Sequence, residues 1–600
     1  MAETTGMEAD AVRGGEEAGT RVADALPVAL TSLPLFGGLG AEASAALEQE
    51  LEWLSLLGGH SLFDEGDPSD ALYVVISGVL GVVAGEGRAR GSLLAQIHPG
   101  ETVGEMAMLS DRLRSATIIA LRDSTLLRIA KASFARVMET HPSSMRYLSQ
   151  LLVDRLDRTT HRTKAAFAAR TLALIPLEAG LAIERFAADL AGALRDAGTS
   201  TEILDTRARV AGLDALHALE KLHQLVIYRG DWQDAAWTRL CIRHADHILL
   251  LARASSGAER TPPAWGIADL KWRLCELVLL QEEEAPAPAP AAPWLARSAA
   301  RAHYHLRVGN KGDFARLGRY IRGRAVGLVL SGGGARGYGH LGVVKALRRA
   351  GVPLDLVGGT SFGAIVAAGI ACEWDDRELS ARVHDAFVRS DPLRDYTFPF
   401  VALTRGREVA RRLRQHFGEN RIEDLWRPYF AVATNLTTGE VAVERDGPLW
   451  QALLASSAIP GLVPPVIRRG EVLVDGAVMN NLPVDIMSTM RRGPIIAVDV
   501  ARYLNLRPTA PVRFRWLRRL MAGEETVGLG IVSLLLSSAA TASDAQARLC
   551  RELADLLLEP PLREIGLRDW KSFDRAIEDA YRYTMTRIEE IERRCRGVAP

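Results

Sequence analysis

The sequence has no excess of charge of either sign. Lysine plus arginine and aspartate plus glutamate each number 73 in 600 residues, so the formal net charge is zero. A protein without a field over its whole surface has no general attraction for nucleic acid or anionic lipid, and its charge-driven contacts must be local. We therefore expect no nucleic-acid partner.

Cysteine is also scarce. The five cysteines are scattered without a CxxC pair, which argues against a disulfide framework and against a thiolate metal site. Such usage is typical of a reducing cytosol. It predicts a cytoplasmic protein that holds no metal ion.

Long apolar runs are missing as well. The nearest approach, 527–542, is short and broken by glycine and serine, whereas a membrane-spanning helix needs about 18 to 20 apolar residues. The N-terminal segment has neither the basic start nor the apolar core of a secretory signal. Residues 514–521 mix bulky apolar side chains with arginines, as interfacial segments do, although a solvated helix face has the same pattern. Any membrane contact is therefore expected to be peripheral.

The patterns that are present indicate a multidomain α/β protein. Short apolar runs between turn signals predict an N-terminal β-roll, and later regions alternate strand-like and helical stretches. The middle region has no GxxxxGK[ST] motif, which excludes P-loop binding of a nucleoside triphosphate there. The sequence EEEAPAPAPAAP is typical of a stiff spacer. We predict a disordered tail at 1–30, a β-roll with helices at 31–165, an α/β middle domain at 166–280, a Pro/Ala linker at 281–295, and an α/β domain with a helical extension at 296–600.

A glycine-rich loop follows the first predicted strand of the last domain. The strand VGLVL is followed, after Ser331, by GGGARG at 332–337, which precedes a helical stretch. Glycines let main-chain N–H groups turn inward at the positive end of a helix, where they can hold the oxyanion of an acyl-transfer intermediate. The loop also satisfies the GxGxxG pattern of dinucleotide folds, with Asp355 near the offset of the ribose-binding acid. However, Asp355 precedes the next strand, whereas that acid belongs at a strand's carboxyl end.

The next predicted strand leads to a serine in a GxSxG context. The run LVGG continues into GTSFG at 359–363 and then into the helical AIVAAGIA, which supplies the strand, turn and helix of a nucleophile elbow. Ser361 is therefore the predicted nucleophile. It lies at the N-terminus of a helix whose dipole favours developing negative charge.

A late histidine to serve as the base of this serine is missing, because only His384 and His416 follow Ser361. The strand EVLVDG ends at Asp475, whose carboxylate could act as the general base of a dyad. An ordinary Asp-Gly turn is the alternative interpretation of that aspartate. His340, just past the glycine loop, is interpreted as a packing or polar-contact residue.

The motifs GGGARG, GTSFG and DGA, in this order, resemble those of the patatin-like phospholipase family. The segment 455–466 also resembles the one that usually precedes DGA. The resemblance implies a patatin-like α/β hydrolase domain in which the glycine loop forms the oxyanion hole, the serine is acylated by a lipid ester, and the aspartate activates it without histidine. Carried over residue by residue, the implied site comprises Gly332, Gly333, Gly334, Arg336, Gly337, Ser361 and Asp475.

Within the predicted roll, VGEMAML at 103–109 and RLRSAT at 112–117 resemble the phosphate-binding cassette of cyclic-nucleotide-binding domains. In that family the glutamate takes the ribose hydroxyl and the arginine pairs with the cyclic phosphate, a task that suits a planar guanidinium. Val103 and Leu113 stand where the family often has an aromatic residue and a proline. A salt-bridged structural Glu and Arg is the alternative. The implied binding residues are Gly104, Glu105, Arg114 and Ser115.

The whole arrangement resembles the neuropathy-target-esterase branch of the patatin-like family. This implies a serine hydrolase of phospholipids or lysophospholipids that requires no cofactor and is regulated by a cyclic nucleotide, either cyclic AMP or cyclic GMP. The alternative is a cyclic-nucleotide-responsive regulator whose patatin-like half binds lipid without turnover. The sequence leaves the oligomeric state open.

Overall fold

The computed structural model divides the chain into two compact units, Met1–Arg162 and Thr163–Pro600. The tail at 1–30, the segment 514–521 and Glu105 lie outside the described residues. No helix in the described ranges is both long and apolar enough to cross a membrane. The structure describes residues 36, 41–83, 93–104, 113–140, 169–256, 274–298, 300–390, 395–398, 401–490, 492–501, 545–566 and 569–595.

The smaller unit contains two antiparallel four-stranded sheets. Their orders are β1-β8-β3-β6 and β2-β7-β4-β5. Aliphatic side chains from the strands fill two hydrophobic clusters, which is the predicted β-roll. The strands are β1 (Leu51–Leu56), β2 (Ser61–Phe63), β3 (Ala71–Ser77), β4 (Leu80–Val83), β5 (Leu93–Ile97), β6 (Thr102–Val103), β7 (Thr117–Ala120) and β8 (Ser124–Ala130), and the helices are α1 (Ala41–Glu48) and α2 (Lys131–Thr140).

The larger unit begins with a six-stranded parallel sheet of order β10-β11-β9-β12-β13-β14, which we call the middle sheet. Strands such as TLALIP are buried throughout because helices cover both faces of a parallel sheet. The strands are β9 (Thr171–Pro176), β10 (Thr201–Leu204), β11 (Leu225–Arg229), β12 (His247–Arg253), β13 (Leu274–Gln281) and β14 (Ala302–Arg307), and the helices are α3 (Ile183–Asp196), α4 (Gly212–Leu222), α5 (Ala235–His244), α6 (Ala292–Leu295) and α7 (Lys311–Ile321).

The Pro/Ala segment 281–295 does not separate two domains. It connects β13 to β14, which are neighbouring strands of the middle sheet. Ala291 and Trp294 are buried in the core of that sheet. This corrects the expectation of a linker followed by a new domain at 296: the middle domain continues through α7. Composition predicts a stiff segment, but it does not reveal that two of its side chains have a core to enter.

The second sheet of this unit leads to the predicted nucleophile Ser361 and carries the predicted base Asp475, and we call it the catalytic sheet for that expectation. It has the order β19-β20-β17-β16-β15-β21-β22, and β18 also pairs with β17. The strands β22, β21, β15, β16 and β17 are parallel. The strands are β15 (Gly327–Leu330), β16 (Leu356–Thr360), β17 (Tyr429–Asn435), β18 (Glu440–Glu444), β19 (Val466–Arg468), β20 (Glu471–Asp475), β21 (Ile495–Val498) and β22 (Leu556–Leu558), and the helices are α8 (Tyr338–Arg349), α9 (Phe362–Ala371), α10 (Asp376–His384), α11 (Arg407–Phe417), α12 (Leu449–Ser456), α13 (Val484–Ser488), α14 (Phe573–Thr586) and α15 (Ile588–Cys595).

The two sheets of the larger unit share one hydrophobic cluster. Leu174 and Leu249 of the middle sheet belong to the same buried group as Val329 and Phe430 of the catalytic sheet. Burial of such side chains stabilises the fold by about 1.5–3 kcal/mol each. The two sheets are therefore expected to fold as a single unit.

Candidate active site

Ser361 lies on a sharp bend between β16 and α9. Its φ is 54°, a left-handed conformation that a residue with a side chain rarely adopts and that often marks a functional position. The bend passes very close to the neighbouring strand. A Cβ atom on Gly359 or Gly363 would lie 2.5 or 2.3 Å from the carbonyl oxygen of Leu330, so both flanking positions require glycine.

Strand β17 brings Asp475 to this bend. Its Val432 pairs with Thr360, the residue before the serine, and its next residue, Ala433, pairs with Asp475. The hydroxyl of Ser361 donates a hydrogen bond of 2.8 Å to Asp475 Oδ2. The two side chains, 114 positions apart, thus meet through the register of one strand.

The dyad, as we call Ser361 and Asp475, is shielded from water. Ser361 is 8% exposed and Asp475 is 3% exposed. Burial raises the pKa of Asp475 to about 6, while hydrogen bonds from the Ala477 amide and from the serine hydroxyl act in the opposite direction. The carboxylate is therefore ionised at neutral pH, with a pKa close enough to accept a proton, as a general base requires.

Ser456, at the end of α12, holds the nucleophile from the other side. Its hydroxyl accepts from the Ser361 amide at 2.8 Å and donates to the Val432 carbonyl at 2.6 Å. Two residues later, the carbonyl of Ala458 accepts from the Asp475 amide at 2.9 Å. Sequence reasoning did not single out Ser456, although it lies in the 455–466 segment that resembles the family.

The glycine loop borders the nucleophile. A Cβ atom on Gly332 would lie 3.1 Å from Ser361 Cβ and 2.6 Å from Asn481 Oδ1. The Gly332 amide donates to the Asn481 carbonyl at 3.3 Å. Among the described residues, the amides of Gly333 and Gly334 have no protein acceptor. These two amides are therefore available to an incoming anion.

Two other predicted residues of the loop play different parts. The Arg336 amide donates to the Gly333 carbonyl at 3.2 Å, and its Nε donates to the Ile565 carbonyl at 2.7 Å. This bond ties the guanidinium to the segment after β22, and the expected place of Arg336 in the oxyanion hole stays a prediction. At Gly337, a Cβ atom would lie 2.2 Å from the Phe362 ring, so this glycine allows close packing.

The rival residues have structural partners. His340 is fully buried, lies 2.8 Å from the Ser331 carbonyl through Nε2, and has a pKa lowered to about 4 by burial. Asp355 accepts from Nε and Nη2 of Arg319, at 2.8 and 2.6 Å, and from the Val326 amide at 3.0 Å. Its oxygens are therefore occupied, as expected for an acid that does not bind ribose.

Neither histidine that follows the nucleophile completes a triad. His384 packs against the Phe573 ring, and His416 lies 3.2 Å from Asp385. Within the described ranges, no group of three His, Cys, Asp or Glu side chains could hold a metal ion. The hydrogen bond between Ser361 and Asp475 is an arrangement in which a carboxylate can take the proton of an attacking serine.

The cassette-like residues of the smaller unit centre on Arg114, which is 3% exposed. Its Nη2 donates to the Ala71 carbonyl at 2.8 Å and lies 3.3 Å from Asp70. The guanidinium also stacks 4.0 Å from the centre of the Phe63 ring. Gly104, with φ 90°, approaches so closely that a Cβ atom would lie 2.4 Å from Arg114 Nη1.

The remaining cassette residues are less informative. Ser115 is exposed, and Glu105 lies outside the described residues. Within the described part of the chain, Arg114 Nε and Nη1 are buried and have no hydrogen-bond partner. A buried guanidinium with two unsatisfied nitrogens is costly unless an anion meets them.

A strand, a serine on a sharp bend, a helix and a buried carboxylate define the class of the catalytic sheet as a patatin-like hydrolase fold. The family model "Patatin-like phospholipase" matches residues 328–488, "Cyclic nucleotide-binding domain" matches 53–141, and "Neuropathy Target Esterase family P-loop like domain" matches 202–321. The last match extends across the Pro/Ala segment, in agreement with the sheet topology.

Comparison with similar proteins identifies the family of the chain. The chain is 30% identical over 568 residues to an NTE family protein of Mycobacterium tuberculosis, covering 92% of this chain and 94% of that protein. It is also 30% identical to human patatin-like phospholipase domain-containing protein 6, covering 75% of this chain but only 38% of that longer relative. The chain belongs to the neuropathy-target-esterase (NTE) family of patatin-like phospholipases. Among solved structures, the sensor domain of the transcriptional regulator DNR from Pseudomonas aeruginosa is 24% identical, with 22% of this chain and 90% of that chain covered and a TM-score of 0.20.

Proposed function

We propose that the protein is a serine hydrolase of phospholipid or lysophospholipid esters. The observation that carries the proposal is the 2.8 Å hydrogen bond from the Ser361 hydroxyl to Asp475, at a strand-to-helix bend beside a glycine loop. The family membership supplies the lipid class of the substrate, while the arrangement of groups supplies the chemistry. The protein requires no cofactor for this reaction.

The reaction begins when Asp475 accepts the hydroxyl proton as Ser361 Oγ attacks the ester carbonyl carbon. The oxyanion of the tetrahedral intermediate accepts hydrogen bonds from the Gly333 and Gly334 amides, which have no protein acceptor in the described residues. Collapse of the intermediate breaks the ester bond, and the departing alkoxide oxygen takes the proton from Asp475. Water then repeats the cycle on the acyl-enzyme, which releases the fatty acid and restores the dyad.

Labelling with a fluorophosphonate tests the nucleophile, because such probes phosphonylate only an activated serine. We expect the wild-type chain to be labelled at Ser361, as located by peptide mass spectrometry. Ser361→Ala should not be labelled, and Asp475→Asn should be labelled far more slowly. Ser457→Ala is the matched control, since it removes a nearby buried hydroxyl that has no partner among the described residues.

Labelling that persists in Ser361→Ala would refute the assignment. A wild-type chain that binds phospholipid yet resists the probe would favour the alternative function, a regulator that binds lipid without turnover.

We also propose that the smaller unit binds a cyclic nucleotide, whose phosphate meets the unsatisfied nitrogens of Arg114. Calorimetric titration with cyclic AMP and with cyclic GMP tests this directly. Arg114→Ala should abolish the heat of binding. Arg128→Ala, which removes a more exposed arginine that also contacts Asp70, should leave it unchanged. No heat with the wild-type chain would remove the nucleotide from the proposal.

A further inference from the structure

A short hairpin precedes α11 in the catalytic part of the chain. The Arg405 amide donates to the Asp395 carbonyl, and the Thr397 amide donates to the Leu403 carbonyl, both at 2.9 Å. These bonds fasten residues 395–398 to residues 401–405. We call these two described segments the apolar hairpin.

Its side chains divide into a buried base and an exposed tip. Ala402 is 4% exposed and Thr404 is fully buried, so the base belongs to the core. By contrast, Tyr396 is 58%, Phe398 is 73% and Val401 is 69% exposed. Three large apolar side chains this exposed within six positions form a patch of the kind that marks an interaction surface.

The base of the hairpin is bound to the segment that holds the dyad. The amides of Leu403 and Thr404 donate to the carbonyls of Gly461 and Leu462, at 2.9 and 3.1 Å. The same segment begins at Ser456, whose hydroxyl accepts from the Ser361 amide. The hairpin is therefore joined by backbone hydrogen bonds to the segment 456–462, which also contacts the dyad.

Positive charge accompanies the tip. Arg405 and Arg407 are both exposed, and within the described residues neither forms an ion pair. The later arginines of α11 differ, since Arg411 and Arg412 pair with Glu408. The Asp395 carboxylate, which accepts from the Arg407 amide at 2.8 Å, is outnumbered by these two guanidinium groups, which are a local attraction for phosphate.

We propose that the apolar hairpin docks the catalytic part of the protein on the surface of an anionic phospholipid membrane. Tyr396, Phe398 and Val401 enter the interfacial layer, and Arg405 and Arg407 hold lipid phosphates. The choice of a lipid partner rests on the proposed function. The size of the patch agrees with it, since a stable protein interface buries about 800 Å² on each partner, far more than three side chains provide. Aromatic and aliphatic side chains next to arginines are the composition that suits a membrane interface.

Vesicle co-sedimentation of the full-length chain tests this surface. Phosphatidylcholine vesicles containing phosphatidylglycerol should bind the wild-type chain, and Phe398→Ser/Val401→Ser should bind at least about tenfold more weakly. Leu222→Ser is the matched control, because it removes an equally exposed leucine from α4 of the middle sheet and should bind like wild type. All three chains should hydrolyse a short soluble ester such as p-nitrophenyl butyrate at similar rates, which shows that the site is intact.

The charge has its own test. Arg405→Gln/Arg407→Gln should weaken binding to the anionic vesicles several-fold and leave the weaker binding to pure phosphatidylcholine unchanged. Equal vesicle binding by the wild-type and Phe398→Ser/Val401→Ser chains would overturn the proposal. A wild-type chain that does not bind the anionic vesicles would also overturn the proposal. The same holds if that chain self-associates through the hairpin instead, as measured by sedimentation velocity. Failure of the proposed hydrolase function is separate, since it appears as loss of soluble-ester turnover and of fluorophosphonate labelling in the wild type.

Discussion

The two sheets of the larger unit have similar strands but different loops at the end of their first strand. After β9 of the middle sheet, Glu178 turns inward and its carboxylate accepts from the Arg253 amide at 2.6 Å. After β15 of the catalytic sheet, three successive glycines follow Ser331, and two of their amides lack a protein acceptor in the described residues. The first loop satisfies its own polar groups, whereas the second leaves donors for a ligand. Parallel topology provides the position, and the loop residues decide whether it becomes a site.

Replacing one glycine by alanine in each loop should give the largest difference in turnover between the two sheets. Gly332→Ala places a Cβ atom 3.1 Å from Ser361 Cβ and is expected to lower turnover about a hundredfold, the loss typical of a disturbed oxyanion hole. Gly180→Ala changes the loop after β9 of the middle sheet. Its added Cβ atom meets nothing within 4 Å, so the substitution should cost only about 1 kcal/mol of stability from left-handed strain. Steady-state kinetics on a soluble ester and thermal unfolding measure both effects. Equal loss of turnover in the two variants would break the comparison.

Removing the Ser456 hydroxyl concerns the catalytic sheet alone, and we expect a smaller loss of turnover than for Gly332→Ala. Ser456→Ala takes away the acceptor of the Ser361 amide, so we expect kcat to fall about tenfold and stability to fall by about 1 kcal/mol. Ser457→Ala is the neighbouring control. A change in stability with kcat unaltered would show that Ser456 supports the fold without positioning the nucleophile.

The buried ion pair between the two sheets should contribute to stability and hardly at all to turnover. Glu276 of β13 is buried between His247, at 2.8 Å, and Arg492, which precedes β21 of the catalytic sheet. Glu276→Gln leaves the Arg492 charge buried without its counterion and should lower the free energy of unfolding by about 3 kcal/mol. Turnover well below the unfolding temperature should stay within about twofold of wild type.

The exposed Glu283 provides the control for this ion pair, because Glu283→Gln should change neither the free energy of unfolding nor the turnover. A strong loss of turnover at low temperature in Glu276→Gln would show that the middle sheet acts on the catalytic one beyond supporting it.

The sequence predicted the parts of the candidate site that depend on local patterns. A strand, a tight glycine turn and a helix are visible within 20 residues, so the setting of Ser361 could be inferred. The order of strand and acid also excluded Asp355, which the structure pairs with Arg319. The fold class, a β-roll followed by two α/β regions, was confirmed for the same reason.

What the sequence could not predict depends on contacts between distant segments. Ser456 reaches Ser361 only because β17 and α12 pack together, and Arg336 turns to Ile565, 229 positions away. The Pro/Ala segment appeared to be a spacer because composition does not show which side chains become buried. Glu105 lies outside the described residues, so its role remains a prediction.

The most direct test of the central claim is the pH dependence of fluorophosphonate inactivation. Burial raises the pKa of Asp475 to about 6, so the base should lose its charge as the pH falls through that value. We predict that the inactivation rate of the wild-type chain declines below about pH 6, approaching tenfold per pH unit, and that Asp475→Asn reacts slowly with no such decline. An acid limb that persists in Asp475→Asn would contradict the account, because another group would then be the base.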